Sequence, residues 1–174
     1  SGDADLGGRE ILIAGGRGSQ GWCYVFGDAA AGHRFVSSFQ GGWPAYRPVN
    51  GETWLACGDV VGGSEDEILV GHGRGGRGWM WLTSATPETL RWLQLPWPAY
   101  NAAVGETRPS LGDVDGDGRA EIAIGLGTYP AAGGTVWFLD DGNAGYASLG
   151  RRPAAWTAYN TANGETRPAI GYVR

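Results

Sequence analysis

One short unit occurs three times along this chain. That repetition constrains the fold more than any other feature, because a repeated unit has to bury its apolar faces against its own copies. Trp43-Pro-Ala-Tyr46, Trp97-Pro-Ala-Tyr100 and Trp156-Thr-Ala-Tyr159 mark equivalent points. Each is followed at one offset by Gly-Glu-Thr, beginning at Gly51, Gly105 and Gly164, spaced 54 and 59 residues apart. A Gly-Asp-Val or a near variant comes next, at Gly58, Gly112 and Gly171, and also at Gly2. Apolar pentads then follow at Glu10–Ala14, Glu67–Gly71 and Glu121–Gly125. After a glycine-rich turn each unit has an aromatic run, at Gly21–Phe26, Gly78–Leu82 and Gly134–Leu139. A weaker fourth run is clearest at Arg34–Phe39 and Leu90–Leu95.

These runs alternate with a period of two, are separated by turn residues, and show no helical periodicity, so each unit reads as four short strands. Four strands in 40–60 residues is the pattern of a β-propeller blade. The fold class expected is therefore all-β: blades of four antiparallel strands, three to the chain. They form a single domain over 1–174, with blades at approximately 2–57, 58–111 and 112–170. Composition agrees. The 174 residues are 42% hydrophobic and 18% charged, which argues against disorder, and 33 glycines without a collagen period fit many tight turns.

The sharpest motif is Asp113-Val-Asp115-Gly-Asp117-Gly-Arg-Ala-Glu121. Carboxylates at positions 1, 3, 5 and 9 of a tight loop, with Gly116 and Gly118 permitting the curvature, can surround a hard cation. Such a cation takes about 6–8 oxygen ligands, and the Arg119 carbonyl adds another to the four acidic side chains. The expected ligands are Asp113, Asp115, Asp117, Arg119 and Glu121, and the expected ion is Ca2+. The first unit has only Asp3-Ala-Asp5-Leu-Gly7-Gly-Arg-Glu10, so Asp3, Asp5 and Glu10 form a weaker candidate. The second, Asp59 to Glu67, lacks two ligands and is expected to hold its loop by glycine turns and backbone hydrogen bonds instead.

Gly112-Asp-Val-Asp-Gly-Asp-Gly-Arg-Ala-Glu-Ile122 resembles the FG-GAP (VCBS-type) repeat of integrin α-subunit propellers. The resemblance implies that the acidic loop joins the innermost strand of a blade to the second strand and binds calcium. It also implies that Trp-x-Ala-Tyr and Gly-Glu-Thr lie on the opposite face, between one blade and the next. Trp43, Tyr46, Trp97, Tyr100, Glu106, Arg108, Trp156, Tyr159, Glu165 and Arg167 then form either a repeated ligand-binding surface for glycan or protein, or wedges and turn bonds between blades. Aromatic faces with Glu and Arg suit the first reading, and recurrence in every unit suits the second.

Three blades are too few for a closed ring. Residues 165–174 read as an innermost strand with no strand following it, and the first blade lacks its own. The expected closure is a homodimer in which this strand completes the partner's first blade, giving a six-bladed ring. A longer propeller or a nine-bladed ring would also close it.

The formal net charge is −5 and all 13 basic residues are arginine, without a basic run, which disfavours nucleic acid and anionic membranes as partners. No apolar stretch reaches 18 residues, so no membrane insertion is expected. Cys23 and Cys57 lie in apolar runs, as buried thiols or as a disulfide. His33 and His72 lack a neighbouring Ser or Cys constellation, and no nucleophile elbow or zinc spacing occurs, so catalysis is not expected. The leading function is a non-catalytic calcium-binding module for extracellular or periplasmic ligand binding or adhesion. The alternatives are a purely structural assembly part, or an enzyme with its site at the channel mouth near Arg108 and Arg167.

Overall fold

The computed structural model describes residues 10–27 and 32–171, arranged as three antiparallel sheets with two short helices. The first sheet has strand order β1 (Ile11–Ala14), β2 (Trp22–Phe26), β3 (Phe35–Gln40). The second runs β4 (Thr53–Gly58), β5 (Glu67–His72), β6 (Trp79–Thr83), β7 (Thr89–Gln94). The third runs β8 (Thr107–Gly112), β9 (Glu121–Leu126), β10 (Thr135–Leu139), β11 (Ser148–Pro153). Every strand pairs with its sequence neighbour, so each sheet is a meander.

The sheets are cut one strand away from the repeat units expected over 58–111 and 112–170. β4 and β8 pair with the strands that follow them, Gly58 opposite Glu67 and Gly112 opposite Glu121. A period alone does not say where a unit begins; hydrogen-bonded pairing does. Two further differences concern the connections. Trp97-Pro-Ala-Tyr100 and Trp156-Thr-Ala-Tyr159 open helices α1 (Pro98–Ala103) and α2 (Thr157–Ala162), which at six residues each are too short to leave a periodic signal, whereas Trp43-Pro-Ala-Tyr46 leads into turns. Residues 163–171 form no strand, because among the described residues no second strand lies beside them to complete a ladder. Residues 172–174 of the expected terminal strand, and Asp3 and Asp5, lie outside the described residues.

The sheets stack face to face. β5 and β9 are buried along their whole length, as strands covered on both faces must be. In β5 the alternation divides the core. Ile68 and Val70 join Cys23, Val25, Phe39 and Trp81 between the first and second sheets. Leu69 joins Met80, Leu82, Ile122 and Ile124 between the second and third. Cys23 and Cys57 are both free thiols, and burial pushes Cys23 up to about 11 and Cys57 up to about 12. They stay protonated and behave as small apolar groups.

Two glycines set how closely the following segment of chain approaches β5 and β9. A Cβ on Gly71 would lie 2.3 Å from the Thr107 carbonyl oxygen, and one on Gly125 would lie 2.4 Å from that of Thr166. The neighbouring backbone therefore passes directly over a bare Cα at both junctions. Among the described residues the outer face of the first sheet has no such cover: Ile11, Ile13, Trp22, Tyr24 and Phe35 are exposed.

Candidate functional site

The acidic loop between β8 and β9 folds itself through its own carboxylates. Asp113 accepts from the backbone N–H of Gly116 (2.7 Å) and of Gly118 (3.1 Å), one on each oxygen. Asp115 accepts from Asp117 N–H (3.1 Å), and Asp117 from Arg119 N–H (2.8 Å). These bonds curl the chain so that alternate side chains point to one side. Glu121, first residue of β9, lies beneath them and is 2% exposed. One of its oxygens accepts from Val114 N–H at 2.7 Å, while the other, Oε1, is buried with no hydrogen-bond partner among the described residues.

That orphaned oxygen is the telling feature. A buried carboxylate oxygen without a donor is costly, and a cation is the ordinary remedy. Oxygens of Asp113, Asp115 and Glu121 lie within 4.8 Å of one another, and so do those of Asp117, Glu121 and Asp141. Two ligands on one calcium at about 2.4 Å each lie at most about 5 Å apart, so each group taken by itself fits a hard cation, and Glu121 is common to the two. Burial, and then the charges of Asp115, Asp113 and Asp117, push the Glu121 carboxyl up, opposed by the Val114 N–H. A bound cation would offset both causes.

Asp141 was not expected. It sits in the turn after β10, 2% exposed, where one oxygen accepts from Ala144 N–H at 2.7 Å and the other lies 3.9 Å from the Arg119 guanidinium. No spacing rule links it to the Asp113–Glu121 motif; only the pairing of β9 with β10 brings it there. The Arg119 side chain has a part of its own, separate from its backbone carbonyl. Its side chain donates to the Val61 carbonyl at 2.8 Å and so ties the loop to the second sheet.

Residues 107–139 match the family model of the FG-GAP repeat. The match runs from β8 through the acidic loop and β9 to the end of β10, about a fifth of the chain, and covers the one unit whose loop carries all its carboxylates. Comparison with curated proteins gives no match. Outside the FG-GAP segment, the corresponding loop of the second sheet is held by its own carboxylates as well as by backbone bonds. Glu67 accepts from Val60 (2.9 Å) and Val61 (3.1 Å) N–H, and Asp59 from those of Gly62 and Gly63. Its carbonyls accept from the third sheet, Asp59 from Ala120 N–H and Val60 from Gly142 N–H. Glu10, the equivalent glutamate of the first sheet, is buried.

The aromatic and charged motif residues meet at the sheet junctions. Each Trp stacks on its Tyr: Trp43 on Tyr46, Trp97 on Tyr100, Trp156 on Tyr159. Each Tyr hydroxyl donates to the backbone carbonyl of the following Gly-Glu-Thr glutamate, Glu52, Glu106 or Glu165. The threonines clasp the preceding sheet. Thr107 Oγ1 accepts from His72 N–H and donates to the Trp79 carbonyl, and Thr166 does the same with Leu126 and Thr135. Trp43 and Trp97 lodge against the next sheet, whereas Trp156 is 66% exposed.

The glutamates and arginines form an alternating chain of charge. Arg108 meets Glu106 at 2.5 Å and Glu165 at 2.5 Å, and Arg167 meets Glu165 at 2.8 Å. Both guanidinium groups lie over Trp54, at 4.7 and 5.2 Å. Burial pushes Glu106 up against the opposing pull of Arg108. Glu165 is also pushed up by burial, but the hydrogen bonds and charges of Arg167 and Arg108 prevail and hold it below the usual range. Sheet-to-sheet fastening thus occupies Tyr46, Tyr100, Glu106 and Arg108, while Trp156 and Arg167 face solvent.

Proposed function

We propose that this chain is a β-propeller module whose three sheets are three blades, that it binds one calcium ion in the third, and that it acts by holding a partner rather than by catalysis. The buried, partnerless Oε1 of Glu121 carries the reading. Asp113, Asp115, Asp117, Glu121 and Asp141 would hold the ion. Bound there, calcium supplies the positive charge these carboxylates lack and fastens the 113–121 loop to the turn after β10. Weak sites of this kind fill at the millimolar calcium found outside cells, which favours an extracellular or periplasmic setting.

The expected result of chelation follows. At calcium about 100 times its dissociation constant the ion stabilises the fold by about 2.7 kcal/mol. For a chain of this size that is roughly 5–10 °C of melting temperature, lost on adding EDTA. An unchanged melting temperature overturns the calcium reading.

A second copy of the chain is the partner the two open faces favour. Inside the chain, Trp43 and Trp97 each press on the following sheet; Trp156 offers the same contact with no sheet among the described residues to receive it. The exposed face of the first sheet, with Ile11, Ile13 and Tyr24, is the counterpart of the Ile68, Val70 and Trp81 face that receives the first sheet. Two copies would close a six-bladed ring. Light scattering then gives twice 18.3 kDa; a monodisperse monomer contradicts the dimer.

A further inference from the structure

Trp43, Trp79 and Trp92 line an open hollow of about 350 Å³ at the junction of the first and second sheets. Its walls are fixed by the fold. The β6–β7 register sets Trp92 beside Trp81, with the two rings stacked at 6.3 Å, and Trp79 meets Trp92 edge-on at 6.3 Å. His72 stacks on Trp92 at 5.9 Å and meets Trp43 edge-on at 5.8 Å, its Nδ1 paired with the Trp79 carbonyl at 2.8 Å. Burial pushes the His72 imidazole down, so it stays neutral behind the indoles.

One junction further on, the same positions are filled differently. Trp97 stands for Trp43, Trp137 for Trp81, Thr135 for Trp79, and Arg151 for Trp92, since Arg151 pairs with Trp137 as Trp92 pairs with Trp81. There the Arg151 guanidinium lies 4.7 Å from the Trp97 ring centre and 5.8 Å from that of Trp137. The chain therefore seats a cation of its own against the linker tryptophan at one junction. At the other it replaces that cation with a third indole and leaves a hollow.

Three indoles line this hollow and, among the described residues, no charged side chain does. A sugar would bring hydroxyls that need directional polar partners, which such walls do not give. A large, weakly hydrated cation loses little water on entering and gains from the negative faces of the rings. We propose that the Trp43–Trp79–Trp92 hollow is a binding site for an organic cation of the quaternary ammonium or guanidinium type, taking the place that Arg151 fills at the next junction. It is independent of the metal loop, which lies in the third sheet.

The test is a fluorescence titration of the full chain at constant ionic strength with choline, with methylguanidinium, and with 3,3-dimethylbutan-1-ol, the uncharged isostere of choline. The expected result is saturable indole quenching by at least one of the two cations, at least about tenfold tighter than any response to the alcohol. Equal or tighter binding of the alcohol, or no saturation by either cation, overturns the proposal. Trp92→Arg copies the third sheet and is expected to fill the hollow from within, abolishing cation binding while the protein still melts cooperatively. Trp79→Thr, also the third-sheet residue at its position, removes one wall and is expected to weaken binding at least fivefold even if Trp92→Arg does not fold. Unchanged affinity in a folded form of either variant places the quenching elsewhere and overturns the proposal.

Discussion

Arg108→Ala is expected to destabilise the fold by about 3–5 kcal/mol in chemical denaturation at neutral pH, the usual cost of removing one partner from a buried ion pair. Arg108 is 7% exposed and bridges two carboxylates, Glu106 and Glu165, while lying over Trp54. Its removal leaves Glu106, 8% exposed, without its countercharge. The deficit carries a pH signature. Glu106 already has a raised carboxyl, with burial the leading cause and Arg108 opposing it, so losing Arg108 raises it further. A group whose folded pKa lies above its unfolded value contributes stability that is lost as pH rises through that window. The Arg108→Ala deficit should therefore shrink on acidification toward pH 4. Adding Glu106→Gln should recover part of it at neutral pH. A loss under 1 kcal/mol, or one independent of pH, would mean that the pair is screened by solvent.

Glu121→Gln is expected to weaken calcium binding by more than about 100-fold, beyond the upper end of what an outer-shell partner costs. Glutamine keeps the size of the side chain and can still accept from Val114 N–H, but it removes the one charge common to both carboxylate groups. Without calcium the variant should be no less stable than the parent, because burial and three neighbouring aspartates already oppose ionisation at this position. Asp141→Asn should cost less, about tenfold, since asparagine can still accept from Ala144 N–H and Asp141 belongs to only one of the two groups. If Asp141→Asn binds calcium as the parent does, Asp141 serves only its turn and the salt bridge to Arg119.

Much of the fold was legible because a period-two pattern and a repeat are properties of local sequence. The Glu67–Gly71 and Glu121–Gly125 pentads became β5 and β9, one residue longer at the C-terminal end. The acidic loop was legible for the same reason, its motif carboxylates lying within nine residues of one another. What the sequence did not disclose depends on pairing between strands. Asp141 reaches Glu121 only because β9 and β10 run side by side. The three-tryptophan hollow exists only because register sets Trp92 beside Trp81 and a linker brings Trp43 over both. Recurrence pointed to a structural part for these motifs, but the partners of the Gly-Glu-Thr threonines were hidden, since their bonds go to carbonyls and N–H groups of a neighbouring sheet, which carry no residue-type signal.

Calorimetric titration of calcium into metal-free protein tests the central claim most directly, because it reads stoichiometry as well as affinity. One ion per chain is predicted, bound at the Asp113–Glu121 loop and lost in Glu121→Gln. No binding at millimolar calcium, or one tight ion that survives Glu121→Gln, would contradict the account.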